Sequence, residues 1–370
     1  MILLSSIIAT FEAEFLAQYG HELLPGQRRA LAAMGRCRTA HSPRMQAQCD
    51  NCDECRFIPH SCGHRACPHC QHHESQQWLQ RQLKKLVPGD YFLLTFTLPA
   101  ELRHLAWRHQ RILYDLMMQC SWATLRTFSL NDRKLQGTPG AIAVLHTHSR
   151  RLDYHPHVHL VMPAAAIDAK ARLWRTKTSR RKAPYLFSHK ALAKVFRAKM
   201  LEAIAQAGLT LPAAHPEKWV VDCKHVGAGE KALVYLGRYL YRGVIREKDI
   251  LSCTNGQVTY RYRNSKTRRM QTRTLPGADF LRLLLRHVLP KGLRRARNFG
   301  FLHPNSKKLI TLLQYLFRLS PPTATGIRTA RPVLVCPCCG GTMTIVRRRI
   351  PALSPRANPP IRILAVAAMM

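Results

Sequence analysis

Three histidines alternate with apolar residues in the stretch His155-Pro156-His157-Val158-His159-Leu160-Val161. In an extended strand alternate side chains share a face, so His157 and His159 point the same way. Their Cα atoms stand roughly 6–7 Å apart at about 3.3 Å rise per residue, near enough for both imidazoles to reach one metal ion. His155 shares that face but lies roughly 13 Å from His159, too far to join the same ion without a bend. The flanking Val158, Leu160, Val161 and Met162 suit a buried strand. The plain alternative is a strand whose histidines only hydrogen-bond. In so basic a chain, the His-apolar-His pair favours a metal.

A second chemical element follows at Glu230 to Arg242. As a helix it carries Tyr235 and Tyr239 at i and i+4, on one face, with Tyr241 elsewhere. Such tyrosines are usually packing residues; the upstream histidines and the surrounding arginines change the odds. A deprotonated or metal-assisted phenolic oxygen is a competent nucleophile. A divalent ion on histidines polarises a phosphodiester for in-line attack. Attack by tyrosine leaves a phosphotyrosine link and a free hydroxyl on the other DNA end, so rejoining needs no ATP. Consistent with that, no Gly-rich phosphate loop ending in Lys-Ser/Thr is present.

Thirteen cysteines are present, nine of them in two clusters, with Cys37 just upstream of the first. Cys49-x2-Cys52 and Cys67-x2-Cys70 form two knuckles, and together they complete one tetrahedral zinc site. Cys55, Cys62, His64, His69, His72, His73 and His41 crowd the same segment, so the ligands can shift to Cys52 and Cys55, or a second ion can bind. Four thiolates leave no open coordination position, which makes this zinc structural. Cys336-Pro337-Cys338-Cys339 is half a knuckle without an evident second half. Knuckle spacing without a secretion signal points to zinc in a reducing cytoplasm, not to disulfides. The apolar start at Met1–Leu4 has no basic region before it and soon meets Glu12 and Glu14, so a signal peptide is not expected.

The elements that must position these groups are readable in outline. A net charge of +38, from 58 basic and 20 acidic residues spread along the chain, calls for a polyanionic partner. No apolar run approaches the length of a membrane span. Residues 5–35 read as helical, interrupted at Pro25. Tyr91–Leu98 reads as a strand, residues 100–129 as a long helix, and Ala141–His148 as a strand forming a hairpin with His155–Pro163. That hairpin brings His146 or His148 to the histidine pair, and either can supply a third ligand. A helix over Ser188–Ala207 and a strand over Trp219–Val226 lead to the tyrosine helix. Asn255-Gly256 marks a hairpin turn. After it, Val258, Tyr260 and Tyr262 form a packing face, and Thr259, Arg261 and Arg263 one for phosphate, with Lys266, Arg268, Arg269 and Arg273 adding to it. A helix over Asp279–Leu289 precedes the basic cluster Lys291, Arg294, Arg295 and Arg297. The loop with Arg180, Arg181 and Lys182 is another phosphate candidate, and 351–370 reads as disordered. The expected division is a zinc-binding region over 1–88, a catalytic domain over 89–319, and a linker, half-knuckle and tail over 320–370.

His157-Val158-His159 with Tyr235-x3-Tyr239 resembles the HUH endonucleases, which cut single-stranded DNA. The chain as a whole resembles the two-tyrosine rolling-circle insertion-sequence transposases related to the ISCR elements. The matching stretches include Cys37-Arg38-Thr39-Ala40, Ser61-Cys62 through His69-Cys70-Gln71, Leu94 to Pro99, His155 to His159, Tyr235-Leu236-Gly237-Arg238-Tyr239, and Phe280 to Arg297. The resemblance implies an α+β fold: a ferredoxin-like antiparallel sheet with flanking helices, plus a small N-terminal zinc-binding domain. It also implies Mg²⁺ or Mn²⁺ dependence and a 5′-phosphotyrosine intermediate. Carried onto this sequence, His157 and His159 hold the metal, and Tyr235 and Tyr239 are the nucleophiles. Some relatives keep only the tyrosine matching Tyr239. The family commonly has Arg-Asn-Arg-His before the cysteine at Cys67, where this chain reads Gly63-His64-Arg65-Ala66. That leaves Cys49, Cys52, Cys67 and Cys70 as the zinc set. The implied partners are single-stranded DNA at element ends and target DNA, with host replication proteins, in the bacterial cytoplasm near the nucleoid. A replication initiator or relaxase keeps the same chemistry; a non-catalytic zinc-ribbon DNA-binding protein does not.

Overall fold

The computed structural model describes residues 2–177, 185–241, 243–264, 267–319 and 333–352, without the side chains of Tyr239 and Tyr241. Arg180, Arg181, Lys182, Lys266 and the tail from 353 lie outside the described residues.

The N-terminal part holds α1 (Leu4–Tyr19), α2 (Pro25–Arg36), the hairpin β1 (Arg44–Cys49) and β2 (Cys55–Pro59), and α3 (His72–Leu83). The helical stretch breaks before Pro25, which opens α2 where its missing N–H is no loss. Next come β3 (Tyr91–Thr97), α4 (Arg103–Arg108), α5 (Gln110–Asn131), β4 (Thr138–His148), β5 (Tyr154–Pro163), β6 (Ala165–Asp168), β7 (Leu173–Thr176), α6 (His189–Gln206), β8 (Val221–His225) and α7 (Glu230–Tyr241). The meander β9 (Ile250–Thr254), β10 (Gln257–Arg263) and β11 (Met270–Pro276) precedes α8 (Gly277–Leu285), β12 (Ala296–Gly300) and α9 (Lys307–Leu316). Finally β13 (Leu334–Val335) and β14 (Thr342–Ile350) return to β1, giving a four-stranded sheet ordered β13-β14-β1-β2.

The main sheet is antiparallel, with strands in the order β7-β6-β4-β5-β3-β8 and β12 added along β4. Strand alternation splits its residues between two covered faces. Phe92, Leu94, Phe96, Ala143, Leu145, Val158 and Leu160 pack with Leu113, Met117 and Phe196 of α5 and α6. Ile142, Val144, Val161 and Tyr91 pack with Trp78 of α3, Leu233 and Leu236 of α7, and Ile310 of α9. This is the expected α+β arrangement, an antiparallel sheet flanked by helices. At the β9–β10 turn, Asn255 and Gly256 have φ of 51° and 72°, as the two central residues of a type I′ hairpin require. Val258 and Tyr260 are buried against Phe280 as read, but Arg261 is paired with Asp249 and Arg273 with Asp153. Part of the presumed phosphate face is thus engaged internally. Among the described residues, no helix is long and apolar enough to cross a membrane.

Candidate functional site

The register of β5 builds the histidine cluster. His157 lies across from His146 of β4, while His157 and His159 lie across from Thr97 and Thr95 of β3. A cross-strand pair plus an i+2 neighbour puts three imidazoles on one sheet face. One ring nitrogen from each of His146, His157 and His159 lies within 4.8 Å of the others, a set that could hold a metal ion. The open choice between His146 and His148 is therefore decided by geometry: an irregularity follows His146 in the β4–β5 pairing, and the ring of His148 packs against His287 at 5.3 Å. His155 stands outside the cluster, its Nδ1 accepting from Arg103 at 2.7 Å.

Neighbouring groups suit the three rings to metal binding. The His157 Nδ1–H donates to the His155 carbonyl at 2.7 Å, which leaves Nε2 with its lone pair. Thr95 Oγ1 lies 2.9 Å from His159 Nδ1 and orients that ring. Burial pushes His157 down to about 4 and holds His146 and His159 well below the ordinary imidazole range. All three are neutral at pH 7, the state in which imidazole binds metal.

Helix α7 lies over this face. The Tyr235 ring meets the His159 ring edge-on, with centroids 6.0 Å apart. The backbone of α7 is helical through Tyr239, whose side chain lies outside the described residues. Two hydrogen bonds hold α7 in place. Ser75 of α3 donates to the Gly237 carbonyl at 3.1 Å, and a Cβ on Gly237 would stand 3.4 Å from the Trp78 ring. Arg295 donates from Nε to the Leu145 carbonyl at 3.0 Å and from Nη1 to the Leu240 carbonyl at 3.1 Å. It ties the end of α7 to the histidine strand, and burial lowers its guanidinium to about 10. Arg295 reads in the sequence as one more member of a basic cluster; only its two carbonyl partners reveal this role.

The four knuckle cysteines do not form one site. Cys67 and Cys70 gather with Cys37 and Cys62; Cys49 and Cys52 gather with Cys336 and Cys339. The hairpin is the reason. Cys49 and Cys52 sit at its tip and Cys37 and Cys62 at its base, and a six-residue strand spans about 17 Å. In the first cluster the sulfurs of Cys37–Cys70, Cys62–Cys70 and Cys37–Cys67 stand 3.7, 3.6 and 3.7 Å apart. Tetrahedral zinc–thiolate bonds of about 2.3 Å require about 3.8 Å. Hydrogen bonding from Cys37, Cys62 and Cys67 holds the Cys70 thiol far below its ordinary range. Cys55, the alternative partner for Cys52, is exposed and outside both groups. Ten clustered cysteines, more than one four-thiolate site uses, would have signalled a second set.

A basic groove lies beside Trp78 of α3. Arg81 of α3, Lys84 and Lys85 just after it, Arg297 of β12 and Lys307 of α9 line a cavity of about 1130 Å³. It shares Trp78, Arg294 and Ala296 with a second cavity of about 360 Å³ that reaches Leu240 and Arg295 at the end of α7.

A family model described as "Putative transposase" matches residues 140–309, and one described as "Transposase zinc-binding domain" matches residues 7–98. The chain is 30% identical over 320 residues to "Putative transposase y4qJ" of Sinorhizobium fredii, covering 78% of this chain and 79% of that protein. It is 28% identical over 266 residues to the "Transposase for insertion sequence element IS801" of Pseudomonas savastanoi pv. phaseolicola, covering 68% of this chain and 64% of that one. Among solved structures, the conjugative relaxase TrwC in complex with mutant OriT DNA aligns with 13% identity and a TM-score of 0.28, over 64% of this chain and 75% of that chain. At that score the likeness carries no weight.

Proposed function

The chain belongs to the IS91-type transposase family, and from that premise we propose that it cuts and rejoins single-stranded DNA through a tyrosine–phosphate link. The observation that carries this reading is the convergence of His146, His157 and His159 beneath the Tyr235 ring. His157 and His159, with His146 as third ligand, would hold Mg²⁺ or Mn²⁺. Such an ion polarises a phosphodiester oxygen and stabilises the charge of in-line displacement. Tyr235 or Tyr239 Oη attacks phosphorus, forms the 5′-phosphotyrosine bond and loses its proton. The bond to the 3′-oxygen breaks and that oxygen gains a proton. The new ester conserves the broken one, so attack by a 3′-hydroxyl reseals the strand without ATP. The second tyrosine allows a second cleavage before the first link is resolved.

The remaining residues position DNA. Arg81, Lys84 and Lys307 neutralise phosphates along the groove that leads toward the end of α7. Single-stranded DNA at the element ends and target DNA are the substrates, and host replication proteins are the expected collaborators. Zinc on Cys37, Cys62, Cys67 and Cys70 is structural, because four thiolates leave no place for substrate.

The test is a labelled single-stranded oligonucleotide spanning the element end, incubated with Mg²⁺ or Mn²⁺ and run on a denaturing gel. A DNA band shifted by the mass of the protein is expected. It should be lost in Tyr235→Phe/Tyr239→Phe and with EDTA, and the single variants identify the first nucleophile. Tight binding with no covalent adduct under any metal would overturn the catalytic reading in favour of a DNA-binding protein.

A further inference from the structure

The second cysteine cluster is assembled from opposite ends of the chain. Cys336 and Cys339 lie outside both stretches matched by the family models, 7–98 and 140–309. Cys37, Cys62, Cys67 and Cys70 all fall within the first, as do Cys49 and Cys52, but the first four already form a complete tetrathiol set without them. The other four cysteines therefore need their own explanation.

Strand pairing brings them together. β14 runs antiparallel to β1, with Ala47 opposite Ile345, Gln48 opposite Thr344 and Cys49 opposite Met343. This register sets the Cys49–Cys52 turn beside the Cys336–Gly341 turn, joined by Asp50 N–H donating to the Thr342 carbonyl at 3.0 Å. Cys336 N–H donates to the Gly341 carbonyl at 2.8 Å and Gly340 N–H to the Cys336 carbonyl at 3.0 Å, and Gly340 takes the left-handed conformation such a knuckle needs. The Cys49–Cys339, Cys52–Cys336 and Cys52–Cys339 sulfurs stand 3.4, 3.7 and 3.6 Å apart. These separations exceed a disulfide bond of about 2.05 Å and approach the about 3.8 Å of tetrahedral zinc thiolates. A side chain on Gly341 would come within 2.5 Å of Asn51 Nδ2 and 3.2 Å of Cys339 Sγ, so the two knuckles lie against each other.

Among the described residues, the small sheet has only a slight apolar core. Its buried core is Ala47, Cys49, Cys336 and Met343, with Cys52, Ile58 and Leu334 packed at the margin. A core of that size does not offset the entropy of ordering four strands, and small modules of this kind depend on a metal.

We propose that Cys49, Cys52, Cys336 and Cys339 bind a second structural zinc ion, which fastens the C-terminal strand to the N-terminal region. Cys338, between the two C-terminal ligands but exposed and outside the group, takes no part.

Metal analysis of the purified full-length protein tests this without reference to DNA cleavage. Two zinc ions per chain are expected in the native protein and in Cys338→Ser, and one in Cys336→Ser/Cys339→Ser. Cys339→His, which supplies an alternative zinc ligand, should retain two. One zinc in the native protein, or two in the double variant, overturns the site. If the double variant does not fold, alkylation of the native protein decides. Cys336 and Cys339 should react much more slowly than Cys338 until a chelator is added. Equal rates for all three in the zinc-loaded protein also overturn the proposal.

Discussion

The two cysteine clusters have the same four-thiol chemistry in opposite settings. The first is built into the framework of the site. Its Cys37 caps the end of α2, Cys70 leads into α3, and Cys37, Cys67 and Cys70 belong to the same buried core as Phe11, Leu31, Phe280 and Leu284. From the same loop, Arg65 donates to the carbonyls of Leu289, Pro290 and Leu293 at 2.8, 2.7 and 3.0 Å. His69 pairs with buried Glu247, which also accepts from the Leu4 backbone. The loop even touches the segment after α7, where a Cβ on Gly243 would stand 2.9 Å from the Ala66 carbonyl oxygen. The second cluster sits at the tip of a ribbon, with Cys339 exposed and a core of four residues. One set of thiols acts as a keystone between helices that carry the site; the other acts as a staple. Coordination chemistry alone does not separate these roles; the surroundings do.

The largest expected effect comes from removing each keystone or staple in turn. Structural zinc contributes about 10 kcal/mol or more to such modules. Cys37→Ser/Cys70→Ser should therefore abolish DNA cleavage and loosen the α2–α3 region, read by hydrogen exchange. Cys336→Ser/Cys339→Ser should retain cleavage within about tenfold, the range of about 1.4 kcal/mol. Comparable loss of cleavage in both would erase the distinction.

Acid sharpens it next. His287 is buried in the keystone half, its Nε2 2.8 Å from the Leu152 carbonyl, and burial pushes it down to about 4. The unfolded chain takes up that proton near pH 6.5 and the folded chain only near 4. Stability is thus full above 6.5 and falls toward pH 4, by about 3 kcal/mol from this one group. Urea unfolding at pH 7 and pH 4.5 should show the loss, and His287→Gln should reduce the slope. An unchanged slope in that variant would assign the loss elsewhere.

The two tight glycines give a smaller contrast. Gly243→Ala pushes the first cluster's loop off backbone atoms, an overpacking cost of about 1–3 kcal/mol that should also lower cleavage. Gly341→Ala meets the Asn51 side chain, and should weaken the ribbon while cleavage stays within twofold. Thermal unfolding and cleavage rates read both. The smallest effect belongs to the groove. Lys84→Ala/Lys307→Ala should weaken single-strand binding several-fold and flatten its log–log salt dependence by about 1.4, or 0.7 per phosphate contact. An unchanged slope would move the DNA path off this face.

Much of the site was legible because its signals are local. Period-two alternation marks β5 and its histidine face, i/i+4 spacing marks the tyrosine helix, and the turn residues at Asn255-Gly256 mark a hairpin; each depends only on neighbours in the chain. The knuckle spacing identified thiol chemistry for the same reason. What no local pattern carries is which distant segments meet. His146 joins the cluster in preference to His148 because of strand register, and Arg295 leaves the basic surface because two backbone carbonyls face it. Cys49 and Cys52 part from Cys67 and Cys70 because a hairpin separates them, and they find Cys336 and Cys339 because β14 pairs with β1. Residue type and spacing alone determined which groups could do chemistry in this protein. Tertiary structure decided which of them share a site, since a metal shell or a buried guanidinium is satisfied only by atoms brought within a few ångströms of each other.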